Sequence, residues 1–495
     1  TSGRHPFRER LKAALGRSPA DREARRLARL HAAGVPVPPP LGRGVLPGGD
    51  RILVLPWIEG EPLAALLAGP PAPRRRALAA LGRAVARLHA AGFAHGDLHA
   101  ENLLFAGGDP VLLDLQHARR RAGEAARLRD LGALDYSLRD RAALSDRLRL
   151  RAAALGLRRP FDAAARARLR AVGRAARRRA RAHGRSRTRR RMRPGRLVAS
   201  LRLPAGAGLR WRDFPEAVAA GALRAHDAVL AGPPDAASDP ESEARPSPGG
   251  GAAVLQAGPR GAVTRVRVDG RGLVVKEGRA GGLARALADR LRGSAARRGW
   301  RGGHGLLARE VPAARPLAFV EQRRLGLPVR SWLVLEDLAP APDALAAAAA
   351  APGATLDALT DLLHRLHRRD VDHGDLKATH VFLVGGRGAQ DVAGARAVLV
   401  DLEHVRFPRR LRASRRRRAL AELNASLPDA VPADARRAAF LRYAARHPFA
   451  EGRTEALRRV VRESLARRHR WTGAGCACAG AEAAAGAGRL TPSSG

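Results

Sequence analysis

Apolar residues recur at helical spacing in two separate stretches, Leu78, Leu81, Val85 and Leu88, then Leu359, Leu362, Leu363 and Leu366. Each stretch predicts an amphipathic helix with one buried face. Each helix runs into the same kind of loop, His95-Gly96-Asp97 or His373-Gly374-Asp375, followed by a short apolar run, Leu103-Leu104-Phe105 or Val381-Phe382-Leu383. A turn and a second apolar strand ending in aspartate complete the pattern, which predicts a helix, a loop and a β-hairpin. Upstream of the second copy, Ala262 to Val268 and Leu273 to Lys276 predict two strands around the Asp269-Gly270 turn, and Trp332 to Leu335 predicts another. Ile52 to Leu55 is the matching strand of the first copy. Its earlier strands are expected before Thr1, since the chain opens without an initiator and its single methionine is Met192.

The chain thus contains an internal repeat. Leu88-His89 through Asp97-Leu98 aligns with Leu366-His367 through Asp375-Leu376, and Val111-Leu112-Leu113-Asp114-Leu115-Gln116-His117 aligns with Val398-Leu399-Val400-Asp401-Leu402-Glu403-His404. A longer loop around positions 385–393 separates the two matching blocks of the second copy. A length of 495 residues is ample for two such domains, each with its own core. The expected division is a first domain over 1–185, an Arg-rich and then Pro/Ser/Gly-rich connector over 186–250, a second domain over 251–470, and a disordered tail over 471–495.

Composition changes this picture in three ways. The formal net charge of +45 admits an anionic partner, such as an acidic membrane surface or a phosphorylated glycolipid, but it also fits the codon background of a GC-rich genome. Aromatic residues make up only 3%, too few for base-stacking platforms, so nucleic acid is the least favoured partner. Lys12, Lys276 and Lys377 are the only lysines, and Asn102 and Asn424 the only asparagines, so each marks chemistry that arginine or another polar residue does not replace. The two cysteines, Cys476 and Cys478, form no disulfide framework, which suits a reducing cytoplasm. No apolar run reaches the roughly 18 residues that span a bilayer, so any membrane contact is expected to be peripheral, at the inner face of the inner membrane.

Phosphoryl transfer from ATP needs a base at the acceptor hydroxyl, ligands for Mg²⁺ and a cation on the phosphates. The spacing His95, Asp97, Asn102 matches the kinase catalytic loop H-x-D-x-x-x-x-N. Asp97 is then the base, with Asn102 and Asp114 as metal ligands. In the second copy Asp375 is the base and Asp401 a metal ligand, with His380 at the asparagine position. Lys276 closes an apolar strand, as the V-A-I-K lysine does, and is assigned to the nucleotide phosphates. Lys377 is assigned to the transferring phosphate, and Gly258 and Gly261 to a nucleotide-covering turn. A lone H-G-D triplet is usually only a turn; two of them in matching surroundings favour function.

These residues resemble the lipopolysaccharide kinase (Kdo/WaaP-type) family. The resemblance is carried by Ser18-Pro19-Ala20-Asp21-Arg22-Glu23 with Gly34-Val35-Pro36-Val37-Pro38, by the counterpart Ser294 to Trp300, and by Asp401-Leu402-Glu403-His404. It implies an α+β fold of two tandem protein-kinase-like bilobal domains, the first with a truncated N-lobe. It also implies ATP and Mg²⁺ as cofactors and a sugar hydroxyl of lipopolysaccharide core, or of a related glycolipid, as acceptor. Glu23 becomes the helix acid that pairs with the strand lysine. Gly299 stands at that position in the second copy, where Asp289 is the substitute acid considered. An aminoglycoside- or choline-type kinase, and a pseudokinase role for at least one copy, are the competing expectations.

Overall fold

The computed structural model describes residues 18–47, 50–232, 252–386 and 392–473. The chain divides into two compact units, residues 1–183 and 184–495.

In the first unit, α1 (Pro19–Ala32) opens at Ser18, whose hydroxyl accepts from the Asp21 amide at 3.1 Å while the Asp21 carboxylate accepts from the Ser18 amide at 3.3 Å. This reciprocal cap fixes where the helix begins. Two strands, β1 (Gly42–Val45) and β2 (Arg51–Val54), form an antiparallel hairpin. After β3 (Glu61–Pro62) and α2 (Leu63–Ala68) comes the expected amphipathic helix, α3 (Pro71–Ala90), with Leu78, Leu81, Val85 and Leu88 fully buried. Then follow β4 (Phe93–Ala94), β5 (Leu103–Ala106), β6 (Asp109–Leu112) and β7 (Arg119–Arg120); β5 lies between β3 and β6, and β4 pairs with β7. The helices α4 (Glu124–Ser137), α5 (Leu144–Ala154) and α6 (Ala163–Arg190) complete the unit's secondary structure, the last running past the unit boundary.

The second unit begins at Gly184, just ahead of the stretch expected to be a connector, and that stretch contains regular structure. Residues 198–230 form β8 (Val198–Leu203), β9 (Gly206–Trp211) and α7 (Glu216–Leu230), and β9 pairs in register with β13 (Pro316–Arg324). Val198 and Leu201 on β8 and Trp211 on β9 are buried at irregular spacing, without the strict alternation that marks a strand, and arginines surround them. Positions 233–250 lie outside the described residues. The sheet continues through β10 (Ala253–Gly258), β11 (Gly261–Val268) and β12 (Arg271–Arg279), and ends in sequence with β14 (Leu327–Glu336). Its spatial order is β10-β11-β12-β14-β13-β9-β8, with antiparallel neighbours throughout.

Two helices, α8 (Leu283–Arg292) and α9 (Ala295–Leu307), follow β12, and α9 packs on β13 and β14 through Trp300, which is fully buried. The rest of the unit is helical: α10 (Ala344–Ala350), α11 (Pro352–Arg368), α12 (Ala413–Ser426), α13 (Ala433–Arg446) and α14 (Arg453–Leu465). Between α11 and α12 stands the hairpin of β15 (Val381–Val384) and β16 (Arg396–Leu399). Of the longer loop expected here, residues 387–391 lie outside the described residues. The expected tail starts with a packed residue: Trp471 is 3% exposed, and its amide donates to the Ala425 carbonyl at 3.1 Å. Residues 474–495 lie outside the described residues. No helix among the described residues is long and apolar enough to cross a membrane.

If residues 198–230 are structural rather than connecting, truncating their core anchor is costly. Phe214, 3% exposed within the second unit's core, is expected to cost about 3 kcal/mol when replaced by alanine. Denaturant unfolding of the full chain followed by pulse proteolysis measures this; a connector residue would change nothing.

Candidate active site

Both units build the His-Gly-Asp loop in the same way. His95 is fully buried and its Nε2 donates to the Leu113 carbonyl at 2.9 Å; His373 does the same to Val400 at 3.2 Å. Burial pushes both imidazoles down, which favours the neutral ring, and that ring can make this donation with its one N–H. Gly96 and Gly374 both have φ of +85°, and a Cβ there would lie 2.5 Å from the His117 carbonyl oxygen or 2.8 Å from that of His404. Only glycine fits. Each histidine thereby ties its loop to the strand that delivers the aspartate, Asp114 or Asp401. Both aspartates adopt the left-handed conformation, with φ 55° and ψ 63° or φ 53° and ψ 64°, and turn the chain sharply into a single 3₁₀ turn.

The loops are anchored from below by residues that the sequence did not single out. The buried Asp130 carboxylate accepts from the amides of His95 at 2.6 Å and Gly96 at 3.0 Å. Ser137 accepts from the Ala100 amide at 3.1 Å, and Ser426 accepts from the equivalent Ala378 amide at 2.8 Å. These matched serines add a further correspondence between the copies.

In the second unit the expected residues converge. Lys276 on β12 donates to Asp401, and also to Glu403 at 3.3 Å. Burial would raise the Asp401 carboxyl, but the charges of Lys276 and His380 more than offset it and hold it at about 2. Burial likewise disfavours the charged form of Lys276, and the carboxylates of Asp401 and Glu403 reverse that, so its pKa is raised. His380 Nδ1 lies 2.9 Å from the Asp375 backbone carbonyl, 3.8 Å from Asp401 Oδ2 and 3.9 Å from Asp375 Oδ2. Lys377 Nζ is 3.2 Å from Asp375 Oδ2. Asp375, His380 and Asp401 offer donor atoms that all lie within 4.8 Å of one another. Two carboxylates and an imidazole so grouped fit a divalent cation, although the nitrogen makes the set less selective for Mg²⁺ than oxygens alone would.

In the first unit, Asn102 takes the place of His380 and donates its amide to the Asp97 backbone carbonyl at 3.1 Å. Asp97 lies 3.6 Å from His99, at the position of Lys377, and 3.6 Å from Arg179. Burial and then the charge of Asp114 raise the Glu23 carboxyl, so this helix acid lies within reach of the strand-end aspartate's charge.

Two expectations fare differently. Gly258 and Gly261 do bracket a tight turn, between β10 and β11, and a Cβ on Gly261 would strike the Glu277 carbonyl. The register sets Val263 opposite Lys276, so this turn lies further along the sheet. Asp289 is not a partner of Lys276: it pairs with Arg298 at 2.8 Å and Arg285 at 3.9 Å. The acid beside Lys276 is Glu403, whose signal in the sequence is its replacement of Gln116 at the matched position of the first copy.

A strand lysine held by a strand-end aspartate, beside a loop aspartate with its own cation, is the equipment of a phosphotransferase. The model of the lipopolysaccharide kinase (Kdo/WaaP) family matches residues 2–153 and 260–443, and the chain belongs to that family. It is an ATP-dependent kinase. Among solved structures the chain is similar to one described as WaaP in complex with acyl carrier protein, at 22% identity and a TM-score of 0.31, covering 44% of this chain and 88% of that one. No curated protein matches.

Alternation along β12 sends Glu277, next to Lys276, to the other face of the sheet. Its side chain is fully buried and accepts from Arg330 at 2.6 Å and Arg279 at 2.7 Å. Burial would raise this carboxyl, but hydrogen bonds from His226, Arg279 and Arg330 bring it to about 2. Because the folded value lies below the ordinary 4.5, its stabilisation is complete above pH 4.5 and fades as the pH falls toward 2. The gap in melting temperature between wild type and Glu277→Gln is therefore expected to narrow over that window in thermal melts recorded as a pH series.

Proposed function

We propose that the chain transfers the γ-phosphoryl group of ATP to a sugar hydroxyl of lipopolysaccharide core or a closely related glycolipid, through two tandem protein-kinase-like bilobal domains. The observation that carries this is the convergence of Lys276, Asp401, His380, Asp375 and Lys377 in the second unit. A sheet lobe supplies the first of these and a helical lobe with its β15–β16 hairpin the others. The domain reading is a kinase-like first domain from the start of the chain to about residue 185 and a second that includes β8, β9 and α7.

In this reading Asp375 accepts the proton of the acceptor hydroxyl through a carboxylate oxygen, and Lys377 beside it neutralises the incoming phosphoryl oxygens. Lys276 binds the α- and β-phosphates. Asp401 with His380, and Asp114 with Asn102 in the first unit, would hold Mg²⁺, which supplies charge neutralisation between the phosphates. Asn102 uses its NH₂ on the loop, which leaves its amide oxygen for a metal. Asp97 is the first unit's base and Glu23 its helix acid; the turn at Gly258 and Gly261 covers the nucleotide. The abundance of arginine suits work on an anionic lipid surface, peripheral to the inner face of the inner membrane.

Purified chain with γ-labelled ATP, Mg²⁺ and a panel of lipopolysaccharide cores, aminoglycosides and choline tests the reading. Label is expected on a core sugar. Asp375→Ala, in a chain also carrying Asp97→Ala, is expected to lower the rate by about 10²–10⁴-fold, the usual contribution of a positioned base. Label on an aminoglycoside or choline alone would overturn the acceptor assignment, and an undiminished rate in the double variant would overturn the site.

A further inference from the structure

Both helices that pack against the active-site turn open with the same cap. The Ser18 hydroxyl accepts from the Asp21 amide at 3.1 Å, and the Ser294 hydroxyl from the Arg297 amide at 3.2 Å. Counted from these caps, Glu23 and Gly299 occupy the same position. In the first unit that position carries a carboxylate, Glu23, within reach of the charge of Asp114. In the second it is buried against β14: a Cβ on Gly299 would come within 2.6 Å of Leu333 Cδ2, and Leu333 is the residue opposite Lys276 in the β12–β14 register. A glutamate at 299 would have to displace that leucine, so α9 does not supply the acid.

The matched positions two residues beyond the strand-end aspartates show the complementary exchange. The first unit has Gln116 there and the second has Glu403. Glu403 Oε1 lies 3.3 Å from Lys276 Nζ, and its other oxygen faces Arg298 NH2 at 3.7 Å. Arg298 in turn donates to Asp289 at 2.8 Å and to the Gly293 carbonyl at 2.6 Å, which fastens Glu403 to the start of α9. Where the first unit has a helix acid and a neutral amide on the turn, the second has a helix glycine and an acid on the turn.

We propose that the lysine-positioning carboxylate has moved in the second unit from the helix to the turn, where Glu403, braced by Arg298, orients Lys276 on the phosphates of ATP. This rests on the kinase reading above. Asp401 also touches Lys276, but it is the residue assigned to the metal, so Glu403 is the acid left to hold the ammonium once the nucleotide is bound. As a positioning residue, Glu403 acts through Lys276 and matters for the phosphates alone.

The test is calorimetric affinity of the full chain for MgATP and for adenosine, with every arm carrying Asp114→Asn so that the second unit is read; asparagine tolerates the left-handed backbone there. Glu403→Gln is expected to weaken MgATP by about tenfold, the worth of one charge-assisted hydrogen bond, and to leave adenosine unchanged. Lys276→Ala is expected to do at least as much, and the double variant no more than Lys276→Ala alone. Glu403→Asp, which keeps the charge, should fall between wild type and Glu403→Gln, and it serves as the test if the glutamine variant does not fold. Unchanged MgATP affinity in Glu403→Gln, equal losses for MgATP and adenosine, or losses that add to those of Lys276→Ala would each overturn the relocation. A parent chain that binds no MgATP would instead overturn the kinase reading of the second unit's site.

Discussion

A half-buried lysine ammonium between two carboxylates joins the sheet of the second unit to the turn that follows its β15–β16 hairpin. Lys276 comes from the middle of that sheet, and Asp401 and Glu403 come from the turn more than a hundred residues later. Removing either carboxylate would leave a cation in a poorly solvated site with less than its full compensation, which is costly. The left-handed backbone at Asp401, the glycine at 374 and the buried His373 all serve to deliver those carboxylates to that spot. The same backbone machinery recurs in the first unit at Asp114, Gly96 and His95, with different side chains facing it.

The parts of this site that were legible in the sequence are those with a local signature. The loop residues His95 to Asp97 and His373 to Asp375, and the strand-end aspartates, could be found because each sits at a fixed spacing from an apolar run. Lys276 stood out because lysine is so scarce. Glu403 was missed as a partner because an ion pair between distant segments leaves no trace in spacing, and the only clue lay in comparing the two copies position by position. Asp130 and Ser137 were missed for a related reason: each satisfies backbone amides of the loop from a helix that follows much later.

The hairpin of β8 and β9 was misread because its code is faint. Short strands interrupted by arginine and glycine resemble a linker when judged by composition, and only the partner strand β13 shows which side chains turn inward. Helix α7 carries a clear apolar face of Val218, Ala222 and Leu223, yet its meaning depended on a sheet face that lies further along the chain. Individual helices and strands could be placed from local patterns, whereas the width of the sheet depended on pairing between remote segments.

That hairpin also decides which edges the sheet presents to the outside. Without it, β13 would offer a long row of unpaired amides and carbonyls flanked by Phe319 and Val320, a template for strand addition by another chain. With it, the exposed border becomes β8, whose outward residues include Arg202, a poor substrate for stacking. A fragment trimmed to the stretch that resembles other family members, residues 260–443, would shed this guard along with α7 and bare an adhesive margin. Cover for the β13 border of the sheet therefore comes from a segment that lies outside the matched stretch.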